Sequence, residues 1–138
     1  MTVTWNVNKT ISDVRQAAAQ GVALGAESVL ATAISHIMHD PKTGRIYRRR
    51  GVEHQASAPG EAPASDTGTL VQRSTTEHDA GALVSTVFFR TAYAAALEYG
   101  TAKIAPRPYA RVSLEEKREE IEQNIKDRVS AVLQGSGG

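Results

Sequence analysis

The sequence predicts an α+β fold in which a small antiparallel sheet packs against two long helices. Apolar residues recur at three- and four-residue steps from about residue 10 to 38, and again from about residue 113 to 133. Between these segments, residues 73–77 and 82–90 alternate around a turn that contains Gly81, which predicts a β-hairpin. A stretch rich in Gly, Ala, Ser and Pro predicts a long loop or arm.

Length, charge and cysteine content limit the possible classes of protein. The 138 residues predict a single domain over 1–138, with an N-terminal arm (1–9), a flexible loop (51–65) and a flexible tail (135–138). Sixteen basic and fifteen acidic residues nearly cancel, so net charge indicates neither a nucleic acid nor a membrane as a partner. The absence of Cys excludes thiolate chemistry and disulfides. No apolar run approaches the roughly 20 residues that span a bilayer, and the N-terminus lacks a signal pattern, so we expect no membrane partner.

The first long helix is expected to begin at Thr10, which forms a capping pair with Asp13. Gly21 and Gly25 lie inside it, and each costs about 1 kcal/mol relative to Ala in a helix. Two interpretations remain open for them. Either they mark a kink or a tolerated weakness, or they allow close contact with the C-terminal helix or with a second subunit.

Both ends of this segment carry residues with a structural and a functional interpretation. Trp5 is expected to clamp onto the core, and the alternative is an anchor in a neighbouring subunit. His36, His39 and Asp40 have a spacing that can hold a metal ion on one helix face. Because no third strong ligand accompanies them and His suits a helix C-terminus, we expect neither a metal nor a cofactor.

A dense basic run follows the first helix and consists of Arg48, Arg49 and Arg50, with Arg45 just before it on a short predicted strand. Most such runs are solvated strand ends. The functional alternatives are contact with the phosphates of DNA in a channel, or with an acidic patch on a partner subunit. Since Tyr47 is the only aromatic residue beside the run, specific nucleic-acid readout through base stacking is not expected.

The triplet Asp66, Thr67 and Gly68 is found in aspartic proteases, but its flanks here are Pro, Ala and Ser rather than apolar strand residues. The chain has one copy, so a protease would have to be a dimer. We instead expect Asp66 to cap a short helix from Thr67 to about Arg73. Leu70 would fix that helix to the core.

The stretch from Thr91 to Tyr109 predicts a rigid corner between a strand and the last helix. Residues 93–99 form an apolar turn of helix, and Gly100 can take the left-handed conformation that ends it. Pro106 and Pro108 then require an extended path.

Glu98 is the notable acid of this corner. It has no evident partner for acid catalysis, so we expect it to accept hydrogen bonds from backbone amides at the corner, or to bind an Arg across a subunit boundary. Ser113 with Glu116 predicts a capping box at the start of the last helix. That helix carries an apolar stripe made of Leu114, Ile121, Ile125, Val129 and Val132.

Two ordered motifs resemble a known family. The downstream motif reads Tyr93-Ala94, then Leu97-Glu98-Tyr99-Gly100-Thr101, then Arg107-Pro108-Tyr109, and the upstream motif reads Ser57-Ala58-Pro59-Gly60-Glu61-x-Pro63-x-x-Asp66-Thr67-Gly68-x-Leu70. Their order and spacing are similar to the signature of a tailed-bacteriophage tail-component family, over roughly residues 9 to 133. The chain departs from the family pattern at Arg111-Val112-Ser113, where many relatives read closer to Arg-Pro-Ala.

The resemblance implies a structural virion protein at the head–tail joint, acting as a neck or tail-completion protein. It implies a six-fold or twelve-fold ring around a channel for double-stranded DNA, assembled in the host cytoplasm. The implied neighbours are a head-connector or head-closure protein on one side and a tail terminator or tail tube protein on the other. We expect the subunit contacts in the loop of residues 48–66, the corner and Trp5.

The sequence shows no G-x-S-x-G elbow, phosphate loop, C-x-x-C pair or H-E-x-x-H helix, so an enzyme is not expected. Two alternatives remain open. One is a small nucleic-acid-binding module that uses Arg45 and residues 48–50, and the more remote one is a dimeric aspartic protease that uses Asp66.

Overall fold

The computed structural model describes residues 4–63, 69–91, 93–102 and 105–135. Four helices and four strands lie in this part of the chain, which confirms the predicted α+β class. In chain order they are α1 (Val7–His39), β1 (Ile46–Arg49), β2 (Val52–Gln55), α2 (Thr69–Gln72), β3 (Ser74–Asp79), β4 (Val84–Phe89), α3 (Ala94–Tyr99) and α4 (Ala110–Gly135). The two long helices α1 and α4 pack along each other, and the β3–β4 hairpin packs on α1.

The first helix begins earlier than predicted. Asn6 is its N-cap, and the Asn6 Oδ1 atom accepts a hydrogen bond from the backbone N–H of Lys9 at 3.0 Å. The predicted capping pair of Thr10 and Asp13 is therefore wrong, and helix replaces the last part of the predicted arm. Asp13 forms a 2.9 Å ion pair with Lys9 on the helix surface instead. Asn6 could have been predicted as the N-cap from the sequence, because Asn is among the most favoured N-cap residues.

Trp5 does not clamp onto the core, so the expected packing is wrong. Its side chain is 66% exposed, and its indole Nε1 donates a hydrogen bond to the Thr10 hydroxyl at 2.9 Å. Val7 and Ile11 are also exposed, so this end of α1 presents apolar surface.

Gly21 and Gly25 are the positions where α4 comes closest to α1. A Cβ atom on Gly21 would lie 2.8 Å from Ile125 Cγ1, and one on Gly25 would lie 2.8 Å from Ile121 Cγ2. Real Cβ atoms do not approach other carbons so closely, so only glycine fits. The close-contact interpretation is confirmed, and the partner is the C-terminal helix.

Although the sequence has no uninterrupted apolar run of membrane-spanning length, α1 as a helix is long and apolar enough to cross a bilayer. It is the one such helix in the described ranges. One third of its most apolar stretch is buried against the rest of the chain, and core helices of soluble proteins meet the same criterion.

The strands form two separate two-stranded sheets rather than one. In the predicted hairpin, β3 pairs antiparallel with β4 from Ser74 opposite Phe89 to Asp79 opposite Val84. The residue with positive φ in its turn is Leu83 (φ 56°) rather than Gly81. Val84, the first residue of β4, is 52% exposed, so β4 is not covered on both faces along its whole length.

The second sheet corrects the predicted loop over 51–65. β2 pairs antiparallel with β1, from Ile46 opposite Gln55 to Arg49 opposite Val52. Arg50 (φ 53°) and Gly51 (φ 78°) connect the strands, and positive φ at both positions is typical of a type I′ turn. β2 could not be predicted from the sequence. Its one aliphatic residue, Val52, is 57% exposed, so the strand has no alternation of apolar buried and polar exposed positions.

The buried core lies where the C-terminal end of α1 meets the corner. Ile37, Leu70, Ala94 and Tyr109 form it, and the packing of Leu70 is as predicted. Partly buried apolar residues surround this cluster, namely Val71, Phe89, Leu97 and Ala110. The core therefore joins α1, α2, α3 and α4 at one point.

Candidate functional site

The corner is organised around the carboxylate of Glu98, which is 5% exposed. Its Oε2 accepts hydrogen bonds from the backbone N–H groups of Tyr109 (2.8 Å) and Ala110 (3.0 Å), and its Oε1 accepts one from Arg111 N–H (2.9 Å). These are the first amides of α4, which have no acceptor within their own helix. The predicted role of Glu98 as an acceptor for amides at the corner is confirmed.

The physical reason for this arrangement is that a helix N-terminus carries partial positive charge. A carboxylate there is worth roughly 0.3–2 kcal/mol through the dipole, and hydrogen bonds to an ionised acceptor are the stronger kind. The predicted capping box is therefore wrong. α4 begins at Ala110, Ser113 lies buried within it with its hydroxyl donating to the Tyr109 carbonyl, and Glu116 points elsewhere.

The turn before α4 takes its shape from Gly100. α3 ends there with φ 76° and ψ 174°, and the Gly100 N–H donates to the Ala96 carbonyl at 2.8 Å. The predicted positive φ at this residue is confirmed. After Pro106, the Arg107 N–H donates to the Leu97 carbonyl at 2.6 Å, which holds the returning chain against α3.

Tyr109 closes the corner from inside. Its ring is 2% exposed and packs edge-to-face on Phe89 at 4.7 Å, and its hydroxyl donates to the Ala94 carbonyl at 3.0 Å. Burial raises the pKa of Tyr109, and the nearby charge of Glu98 adds to the effect. The hydroxyl therefore remains a neutral donor at physiological pH.

The remaining motif residues of the corner lie at its surface. Tyr93 is 42% exposed and Tyr99 is 69% exposed, and Thr101 and Pro106 are also exposed, while Pro108 is half-buried. The Arg111 guanidinium lies 5.7 Å from the centre of the Tyr99 ring and 3.5 Å from the Glu98 carboxylate. Buried Glu98 thus holds an exposed Tyr–Arg pair in place.

The upstream motif packs against this corner. The Gly60 N–H donates to the Pro106 carbonyl at 2.9 Å, and Arg107 Nε donates to the Ser57 carbonyl at 3.2 Å. Ser57, Ala62 and Pro63 are buried. Two segments of the sequence therefore form one hydrogen-bonded junction, in which Ser57 and Arg107 are 50 residues apart.

Glu61 fixes the upstream segment to the loop between α1 and β1. Its carboxylate accepts hydrogen bonds from the Thr43 hydroxyl, from the Ala58 N–H at 2.8 Å and from the Thr43 N–H at 2.9 Å. The Thr43 hydroxyl first, and then the two amides, lower the pKa of Glu61 to about 2. Glu61 is therefore ionised throughout the physiological range.

His36 joins the end of α1 to α4. Its Nδ1 lies 2.6 Å from Asp40 Oδ2, its Nε2 lies 3.0 Å from the Glu116 carboxylate, and Lys42 Nζ donates to its carbonyl at 3.1 Å. Partial burial alone lowers the pKa of His36, but the hydrogen bonds to Glu116 and Asp40 outweigh it and raise the pKa above 6.5. No three His, Asp or Glu side chains in the described ranges are grouped so as to hold a metal ion.

The arginine run lies on the β1–β2 hairpin. Arg45 precedes β1, Arg48 lies within it and Arg50 is in the turn, and all three side chains are exposed. Arg49 is the last residue of β1 and pairs with Val52. The hairpin therefore presents positive charge at its tip.

Asp66, Thr67 and Gly68 lie outside the described residues. The capping and protease interpretations of Asp66 therefore both stay predictions. The short helix that follows is α2, which in the described residues runs from Thr69 to Gln72 and so ends one residue before the predicted Arg73, whereas its predicted start at Thr67 lies outside the described residues.

Sequence reasoning missed two contacts of the site, those of His36 with Glu116 and of Glu61 with Thr43. His36 and Glu116 are 80 residues apart, so only the packing of α1 on α4 brings them together. No protein-family model, curated protein or solved structure matches this chain.

Proposed function

We propose that this chain is a structural protein that assembles with copies of itself at the head–tail joint of a tailed bacteriophage. The observation that carries the proposal is the junction between the two motifs that resemble the tail-component family. Glu98, Gly100, Arg107 and Tyr109 all act in it through backbone contacts and packing. Such roles suit a rigid joint better than a reaction centre.

The surface of the corner also supports assembly. Tyr99 and Arg111 are residue types that dominate binding energy in protein interfaces, and both are held in place by neighbours. Trp5, Val7 and Ile11 expose further apolar surface at the other end of the molecule. A subunit with separate adhesive surfaces can form head-to-tail contacts that close into a ring.

The proposal is tested by the mass and shape of the purified full chain. We expect sedimentation to show a concentration-dependent rise from monomer to one closed oligomer. Electron microscopy should then show rings with a central channel wide enough for duplex DNA. A chain that stays monomeric at every concentration, or that forms only a two-fold dimer, contradicts the proposal.

The exposed arginines of the β1–β2 hairpin favour a second candidate, a nucleic-acid-binding module. It predicts that the monomer binds short duplex DNA with an affinity that falls steeply as salt increases. Replacing Arg48 and Arg50 with Ala would then reduce the salt dependence, whereas replacing Lys126 on α4 would not. Binding to DNA by the monomer, without rings, would favour this candidate over the first.

A further inference from the structure

A groove runs between β4 and α4, with α1 as its floor, and we call it the β4–α4 groove. Its volume is about 450 Å³. Its apolar lining includes Val22, Val29, Val87, Leu114 and Ile121, and Tyr99 lies at its rim. Leu114 is 43% exposed, so apolar surface in this groove is open to solvent.

One wall of the groove is the outer edge of β4, which pairs with no other strand than β3 in the part of the chain that the structure describes. The Arg90 N–H donates to the Arg73 carbonyl at 3.0 Å, and this pair continues the register of the β3–β4 ladder. Because hydrogen-bonded pairs alternate in an antiparallel ladder, the backbone N–H and C=O groups of Ser85 and Val87 point away from β3. Both residues line the groove, so the edge offers two donors and two acceptors to an added strand.

The same chain carries a second hairpin, whose strands β1 and β2 pair only with each other among the described strands. β1 and β2 pack mainly on each other, and the hairpin is closed at its base by a 2.9 Å bond from the Ala56 N–H to the Arg45 carbonyl. Ile46 and Val52 are each 57% exposed on it. An isolated two-stranded hairpin is marginally stable in water, so a partner strand would stabilise this one.

We propose that the β1–β2 hairpin of one copy adds to the β4 edge of a second copy, with β1 lying in the β4–α4 groove. The bond between Ala56 and Arg45 makes residues 45 and 56 a hydrogen-bonded pair, so the outward backbone groups of β1 belong to Ile46 and Arg48. They are two residues apart, which matches the spacing of Ser85 and Val87. The result is a four-stranded sheet shared between two copies.

Charge favours a second copy as the occupant. The hairpin carries Arg45, Arg48, Arg49 and Arg50 against a single acid, Glu53. α4 lines the opposite wall through residues that include Arg111, Leu114 and Ile121, and outside this lining it exposes six acids, against three exposed basic residues on the whole helix. These acids are Glu115, Glu116, Glu119, Glu120, Glu122 and Asp127. A DNA backbone would satisfy the arginines, but it would leave the strand edge and the apolar groove without partners.

This contact is heterologous, because the hairpin and the groove are different surfaces of the same chain. Repeating it from copy to copy produces a closed ring or an open filament. The inference rests on the self-assembly proposed above, and it names the two surfaces that meet.

Single cysteines test the contact directly, because the chain has no native Cys. Opposite residues of a hydrogen-bonded antiparallel pair have Cα atoms about 5.5 Å apart, within the range of a disulfide. An equimolar mixture of Arg48→Cys and Ser85→Cys protein should therefore form a disulfide-linked dimer on mild oxidation. A mixture of Arg48→Cys with Ser130→Cys, which is exposed near the end of α4, serves as the matched control.

The backbone edge is tested with two variants at one position. Ser85→Pro removes an outward N–H without removing a bond to β3, whereas Ser85→Ala keeps that N–H and removes only the hydroxyl that bonds His78. We expect Ser85→Pro to weaken self-association about ten-fold while Ser85→Ala does not change it. Thermal melting of the monomer, within a few degrees for both variants, shows that the fold is intact.

The outcomes separate this inference from the proposed function. Rings without a preferential Arg48→Cys to Ser85→Cys link overturn the contact and leave the function standing. Absence of rings and of any link overturns both. If short duplex DNA prevents the link by binding the arginines of the monomer, the hairpin is a DNA contact and the inference is wrong.

Discussion

At the scale of single residues, Glu98 determines how the corner is built. One carboxylate satisfies three amides that the start of α4 would otherwise leave without acceptors. Polar groups that are buried without partners are expensive, so this residue is worth more than an exposed cap. From the sequence, only the position of Glu98 near Gly100 indicates its role. That it accepts hydrogen bonds from three amides is known only from the fold.

We predict that Glu98→Ala lowers the free energy of unfolding by about 3 kcal/mol, because three amides lose their acceptor. Glu98→Gln should lower it by about 1–2 kcal/mol, since one amide oxygen replaces two carboxylate oxygens. Urea unfolding monitored by circular dichroism measures both. Glu119→Gln makes the same charge change on an exposed position of α4 and should stay within about 0.5 kcal/mol of the parent. Equal effects of Glu98→Gln and Glu119→Gln would contradict the capping role.

At the scale of elements, the sequence predicted α1, α4, β3, β4 and α3, because each has a period or a turn residue of its own. It missed β2 and placed the starts of α1 and α4 wrongly. β2 buries too little apolar surface to show a two-residue hydrophobic period in the sequence. The start of α4 depends on Glu98, which lies 12 residues before the helix begins. Local sequence patterns predict which helices and strands exist, whereas the contacts that decide where they begin and end come from other parts of the chain.

We predict that Gly25→Ala destabilises the chain by about 1 kcal/mol. Alanine gains about 1 kcal/mol of helix propensity, but a Cβ atom 2.8 Å from Ile121 Cγ2 overpacks the α1–α4 contact by roughly 1–3 kcal/mol.

The matched comparison for Gly25→Ala is the same substitution in an Ile121→Ala background, where the obstructing atoms are gone. There it should become neutral or stabilising, by up to about 1 kcal/mol. A double-mutant cycle with denaturant unfolding measures the coupling. Additive effects would show that α1 and α4 do not meet at these atoms.

At the scale of the whole molecule, two side-chain clusters fix the motif junction to the end of α1. Glu61 holds the upstream segment to Thr43, and His36 holds α4 through Glu116. Neither cluster was predicted as a contact, because each joins residues far apart in the sequence or on different elements. With Glu98 they join the corner, the long helices and the upstream motif into one mechanical unit, and the proposed role as a joint in a particle requires such a unit.

His36 makes the stability of this unit depend on pH. Its pKa is raised in the folded chain above the ordinary 6.5, so the folded state holds the proton more tightly than the unfolded state does. The resulting stabilisation is fully present below pH 6.5 and is lost as pH rises through the raised pKa. Asp40 and Glu116 face the ring, and Lys42 binds the His36 carbonyl, so the two carboxylates are the groups that favour the charged imidazole.

We predict that the unfolding free energy of the parent chain falls relative to that of His36→Gln between pH 6 and pH 9. His39→Gln, an exposed change on the same helix end, should leave the fall in place. A parent and a His36→Gln variant with parallel pH profiles would show that the His36–Glu116 contact does not hold α4 to α1.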